Sequence, residues 1–202
     1  MSAHTPSHPA RGSVSRGVVA AFVAVGVAAA VTRAGHRSSS SQTGRFRSYL
    51  ADHLTGSDAA FAVVKRLRTS QHTPEEIELF ERLYREFSEE RAVVRTLLET
   101  LGGSPFKLKR LLGQTAGSAL RAAAGGEPGD LALFRTLESL AVGVQGKRCL
   151  WRAAQSLESW LPVAGRKSFH DLEMQAVAQW EHIEHRRLAL ASRTFTGASS
   201  HR

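Results

Sequence analysis

Three short stretches hold the residue types that do chemistry. Glu89-Glu90-Arg91 sets two carboxylates beside a guanidinium, Asp52-His53 joins an acid to an imidazole, and His182-Ile183-Glu184-His185 places two imidazoles and a carboxylate within about one helical turn. Glu138, in Thr136-Leu137-Glu138, adds a fourth candidate. Carboxylates and imidazoles are the oxygen and nitrogen donors that hold iron or manganese, and a spacing of three residues brings two side chains to one helix face. Metal chelation is therefore the first chemistry to weigh. Nucleophilic catalysis has less support. No Gly-x-Ser-x-Gly elbow follows a strand. Cys149 lies beside Lys147 and Arg148 but in no motif that would make it a nucleophile. As the single cysteine it has no disulfide partner within the chain, which fits a reducing compartment.

Four amphipathic segments have to position these residues. The first runs from about Arg45 to Arg68, with Phe46, Leu50, Leu54, Phe61 and Val64 on one stripe and His53 and Ser57 beside them. There His53 reads as a satisfied core histidine. The second begins at Thr73-Pro74-Glu75-Glu76, a capped start with proline at the first helical position. Its stripe is Phe80, Tyr84, Phe87, Val94, Leu98 and Leu101, and Gly102-Gly103 ends it. On that stripe Arg91 stands nearer the centre than Glu90, which becomes a boundary residue. The third segment runs from an Asp130 cap to about Leu157 on Phe134, Leu137, Ala141, Val144 and Trp151, with Ser139, Gly143 and Gly146 expected to allow close helix approach. The fourth follows Ser168, with Asp171 as an imperfect capping-box partner, on Phe169, Leu172, Ala176, Trp180, Ile183 and Leu190. That register turns His185 to solvent and His182 to the side, and brings Glu173 and Gln179 toward the interior. Trp151, Trp160 and Trp180 read as packing residues.

No segment alternates with period two for long enough to make a sheet, so the fold class is all-α. The connection between the first two helices is only about five residues, which makes them antiparallel neighbours. Ser104 to Gly129 is too long for a hairpin. It reads as a crossover containing a short helix, Phe106 to about Ala124.

Two antiparallel helical pairs joined by one long crossover is the ferritin-like four-helix bundle, and residues 45–195 resemble that superfamily in local sequence as well. Phe87-Ser88-Glu89-Glu90-Arg91, followed by Leu97-Leu98, resembles the second-helix motif of ferritin-like di-iron proteins. Asp52-His53-Leu54-Thr55-Gly56 resembles the Asp-His-x-Gly-Glu run of ferritin-like quinone hydroxylases, Glu138 stands where a third helix supplies a carboxylate, and His182-Ile183-Glu184-His185 resembles the Glu-x-x-His of a fourth. The resemblance implies a metal site drawn from Glu90, Glu138, His53 and His182, holding iron or manganese. The departures are as specific. Val93 stands where a histidine should follow Glu90, the first helix offers His53 or Ser57 in place of a glutamate, and His182 replaces the fourth helix's glutamate. The di-iron site is therefore degenerate, and the leading expectation is a binding or structural module without catalysis or cofactor. A buried arginine then needs a carboxylate, so Arg91 is expected to pair with Glu138 or Glu173. The alternatives are a ferritin-like oxidoreductase or metal-storage protein with an altered site, and a membrane-anchored interaction protein. The partner is another protein or a second copy.

Charge argues against nucleic acid. The net charge is +9, but six of the 27 basic residues lie in the first 47 positions, which hold no acid, leaving 21 basic against 18 acidic residues, or +3. Only Lys107, Lys109 and Arg110 cluster in the rest, whereas a nucleic-acid binder concentrates charge on a folded face. The N-terminal region divides into a polar tail (1–16), an apolar run (17–32) and a serine-rich linker (33–44), with a short C-terminal tail at 196–202. The apolar run reads as a transmembrane anchor, an unstructured extension or a cleaved signal. Arginines on its C-terminal side would leave an anchored bundle on the cytoplasmic face.

Overall fold

Local chemistry fixes where each helix begins. The computed structural model describes residues 42–70, 72–102, 129–161 and 165–196, which form four α-helices: α1 (Gln42–Leu67), α2 (Pro74–Thr100), α3 (Asp130–Gln155) and α4 (Phe169–Thr196). At the start of α2, Thr73 Oγ1 accepts the Glu76 amide at 3.4 Å and Glu76 Oε2 accepts the Thr73 amide at 2.9 Å, a closed capping box. The helix stops at Gly102, whose φ of +80° a side chain would resist. At α4 the Asp171 amide donates to Ser168 Oγ and the Ser168 amide to Asp171 Oδ2, both at 3.1 Å. The shorter aspartate thus completes the box that its sequence position left imperfect. α3 differs from expectation. Asp130 is its first residue rather than its cap, because Gly129 takes the cap position at φ +133°, and the Asp130 carboxylate turns to Arg193 at 3.1 Å.

α1 packs beside α2 and α3 beside α4, with α1 also against α3 and α2 against α4. Cross-helix pairs give the directions. Asp58 of α1 meets Arg91 and Arg95 of α2, Phe61 stacks on Tyr84 at 4.9 Å, Asp130 meets Arg193 while Glu173 meets Arg148, and Glu76 meets Arg186 while Glu90 meets Gln175. Spatial neighbours α1/α2, α3/α4 and α2/α4 all run antiparallel, an all-α four-helix bundle. Its core is drawn from every helix, including Leu50, Leu54, Phe80, Trp151, Ala176 and Ile183, each fully inaccessible.

On α2 the most buried column is Glu76, Leu83, Glu90 and Leu97, seven residues apart and 3, 1, 1 and 0% exposed. This column lies to one side of the expected stripe, so Glu90 is interior and Tyr84 only partly buried. Two further expectations change. A Cβ added at Gly143 or Gly146 would meet open space, so neither marks a close helix approach. Trp160 is 44% exposed, with its edge against Phe46 at 5.9 Å. Among the described residues no helix is long and apolar enough to cross a membrane. The apolar run 17–32, both tails, the basic cluster Lys107, Lys109 and Arg110, and the short helix expected at Phe106–Ala124 lie outside the described residues.

Candidate functional site

A carboxylate in the most buried column of α2 needs a counter-charge, because an isolated buried charge is strongly destabilising. α3 supplies it. Lys147 is three residues after Val144 and four before Trp151, on the core stripe itself. Its ammonium donates to Glu90 Oε2 and, at 2.5 Å, to Gln179 Oε1 of α4. It also lies 3.8 Å from the centre of the Phe87 ring, a cation–π contact. The Lys147 and Glu90 side chains are 12 and 2% exposed.

Two glutamines complete the network. Gln179 Nε2 donates to Glu90 Oε1 at 2.9 Å and to Glu86 Oε2 at 2.8 Å, and Gln175 Nε2 donates to Glu90 Oε1 at 2.8 Å. Glu90 therefore has an amide pair on one oxygen and an ammonium on the other. The donor and acceptor ends of Gln179 are fixed by what they face, an ammonium on one side and two carboxylates on the other. Burial pushes the Lys147 ammonium below the ordinary lysine range, while Glu90 and Glu86 pull in the opposite direction.

The residues singled out in the sequence do not meet at one point. Glu90 is in the network. Glu138 is 48% exposed and 3.9 Å from Arg187. His53 packs edge-on to Tyr49 at 4.5 Å, and burial lowers its pKa. His182 is exposed, with Nε2 3.1 Å from Arg82 Nη1. Among the described residues no group of three or more His, Cys, Asp or Glu is placed to hold a metal ion. The donors around Glu90 also fit a divalent cation poorly, since the carboxylate already binds an ammonium whose charge repels one.

Arg91 is paired, but with neither expected acid. Its Nε donates to Asp58 Oδ1 at 2.5 Å, its Nη2 contacts the same oxygen, and Arg95 Nη2 adds a bond at 3.1 Å. Its guanidinium also lies 4.1 Å from the Phe61 ring centre. The reason is rotational. Adjacent helical residues point about 100° apart, so when Glu90 faces α3 and α4, Arg91 faces α1. Glu173 is taken by Arg148 at 3.4 Å and Arg152 at 3.6 Å.

A second buried carboxylate lies toward the other end of α2. Glu76 accepts from Arg186 at 2.5 and 3.1 Å in addition to the Thr73 amide, and His72 Nδ1 is 3.2 Å away. A cleft of about 560 Å³ opens there, lined by residues including His72, Glu76, Asp130 and Arg193, whose acids are both paired with arginines. Neither this cleft nor the smaller one beside Lys65 is lined by Lys147, Glu90 or Gln179. The central network is internal, and neither of these two clefts reaches it.

Sequence reasoning missed Lys147, Asp58 and Gln175. The signal for Lys147 was present, since the spacing from Val144 and Trp151 puts it on the apolar stripe. No family model, curated protein or solved structure matches this chain.

Proposed function

We propose that this chain is a ferritin-like bundle in which a lysine–glutamate–glutamine network fills the position of a metal centre, and that it works as a non-catalytic binding or structural module. The observation that carries this reading is Lys147 Nζ held between Glu90 and Gln179 in the interior. An ammonium supplies one positive charge where a di-iron site would need a Glu from each of two helices and a Glu-x-x-His from each of the others. It balances Glu90 without an open coordination position, so the bundle gains a fixed interior and no Lewis acid. The helix order supports the same reading. Among the described residues α2 ends at Thr100 and the next helix begins at Asp130, yet Asp130 shares a cleft with Glu76, near the opposite end of α2 from Thr100. Helices joined in that way need a crossover, the feature that distinguishes ferritin-like topology from an up-and-down bundle.

Metal content tests the reading. Untagged protein is purified from cells supplemented with iron, manganese and zinc, and bound metal is measured per chain. The expected content is far below one ion per chain, unchanged by Glu90→Ala. A content of about one or two ions per chain, lost on Glu90→Ala, would replace this reading with the metal-binding oxidoreductase or storage protein.

A further inference from the structure

Five buried side-chain polar atoms among the described residues have no hydrogen-bond partner, and two of them belong to residues that wall a single cleft. They are His72 Nε2 and Arg193 Nε. The cleft lies where the α1–α2 connection, the start of α3 and the end of α4 meet, and its volume of about 560 Å³ falls in the range of small-molecule sites. His72 is fixed in this wall. Its side chain is 9% exposed, its Nδ1 lies 3.2 Å from Glu76 Oε2, and its ring stands edge-on to Phe80 at 4.8 Å. Arg193 is held by its other end, with Nη2 donating to Asp130 at 3.1 Å. A buried polar atom left without a partner is costly. Each of these two atoms therefore marks a place for a group that the chain itself does not supply, on side chains that face the cleft.

We propose that this cleft binds a small, neutral, polyhydroxylated molecule of the size of a monosaccharide or cyclitol. The chemistry of the unfilled positions selects the ligand. A carboxylate beside Nδ1 places the proton of a neutral imidazole there, so Nε2 offers a lone pair. Arg193 Nε offers an N–H. Gly129 gives α3 no side-chain cap, so the first-turn amides of that helix add donors at the same wall. One position therefore asks for a donor and the others for acceptors, and a hydroxyl is the group that does both. Charge argues against simpler occupants. Glu76 is paired with Arg186 and Asp130 with Arg193, which leaves no free counter-charge for an anion and no uncommitted carboxylate for a cation. Leu133 supplies an apolar wall for the carbon face of a ring. The site is separate from the Lys147 network and stands however the interior of the bundle is read.

The test is titration of the isotope-labelled full chain with D-glucose and, separately, with myo-inositol, followed through its amide and imidazole NMR signals. Signals of His72, Arg193 and the first turn of α3 are expected to shift together. A dissociation constant on the order of 1 mM is expected for at least one probe, the affinity of a neutral ligand of about a dozen heavy atoms. His72→Phe keeps an aromatic ring and removes Nε2. Arg193→Lys keeps the charge facing Asp130 and removes Nε. Each is expected to weaken binding about three- to tenfold. Circular dichroism checks that the variants keep the bundle, and either one alone is enough for the comparison. Absence of shifts with both probes up to about 100 mM overturns the inference. So do shifts confined to other residues, or an affinity unchanged in a folded variant. Inorganic phosphate or ammonium moving the same signals at lower concentration than either polyol overturns the assignment to a neutral ligand.

Discussion

Glu76 and Glu90 occupy the same face of α2, four turns apart, and both are almost inaccessible, yet the protein neutralises them in opposite ways. Glu76 is held by groups that would exist without the bundle's centre: its own capping threonine, and Arg186, which stays 19% exposed. Glu90 is held by Lys147 and two glutamines drawn from α3 and α4. The outer carboxylate terminates a helix and touches water through its partner. The inner one ties three helices together, and its partner has little route to solvent. The difference teaches that burial alone does not set what a charged group contributes. What matters is whether the partner can return to water when the pair is broken.

That contrast predicts its own largest effect. Lys147→Met keeps the length and apolar stem of the side chain but leaves Glu90 without a cation. Losing one member of a buried pair destabilises by about 3–5 kcal/mol, read as a fall in the urea midpoint at constant m-value. Replacing both members, Lys147→Met with Glu90→Leu, is expected to recover most of the loss, since apolar substitutes for a buried ion pair are often neutral. A loss equal in the single and double variants would assign the effect to packing, and a loss below about 1 kcal/mol would remove the distinction between the two carboxylates.

The outer carboxylate yields less. Glu76→Ala opens the capping box and frees Arg186, but Arg186 can turn to solvent, and the Thr73 amide is only half-buried. About 2 kcal/mol is expected, the sum of a lost cap and a weakened charge-assisted bond. Thermal or urea unfolding beside Lys147→Met makes the comparison directly. Equal damage from the two substitutions would mean that partner exposure is not the deciding variable.

The sequence makes these two sites legible to different degrees. Thr73-Pro74-Glu75-Glu76 states its own structure, because a capping box needs only residues three apart. The four helices follow from periodicity for the same reason, and the buried Leu50, Leu54, Phe80, Leu137, Trp151 and Ile183 fall in expected segments. Glu90 was harder. A stripe drawn through Tyr84 and Leu101 puts Arg91 at the centre, while one drawn through Leu83 and Leu97 puts Glu90 there. One helical step separates the two, and aromatic residues on both sides make the rotation ambiguous. Partner choice is harder still. Asp58, Glu138 and Glu173 all lie on helices, and only the arrangement of those helices around α2 decides that Arg91 meets the first. Lys147 is the instructive omission. A lysine on an apolar stripe looks like an interruption of the pattern, when it is the interior's counter-charge to a glutamate on another helix.

The smallest effect separates the two carboxylates by pH. Burial pushes the Glu76 carboxyl up, but hydrogen bonds from Arg186 and the Thr73 amide, with the charges of Arg186 and His72, outweigh it and hold the group below its ordinary 4.5. A depressed carboxylate contributes stability that is present above 4.5 and is lost as pH falls through the folded value. Lys147 works at the other end of the scale. Burial lowers it from 10.5 despite Glu90 and Glu86, so between the folded value and 10.5 the unfolded chain holds the proton more firmly. Stability therefore rises with pH across that window. Urea midpoints measured from acid to alkaline pH should show both limbs in the native chain. Glu76→Gln reduces the acid limb, to which the lowered Asp171 and Glu184 also contribute, and leaves the alkaline one. Lys147→Met does the reverse, and an alkaline limb that survives Lys147→Met would place its origin outside the central network.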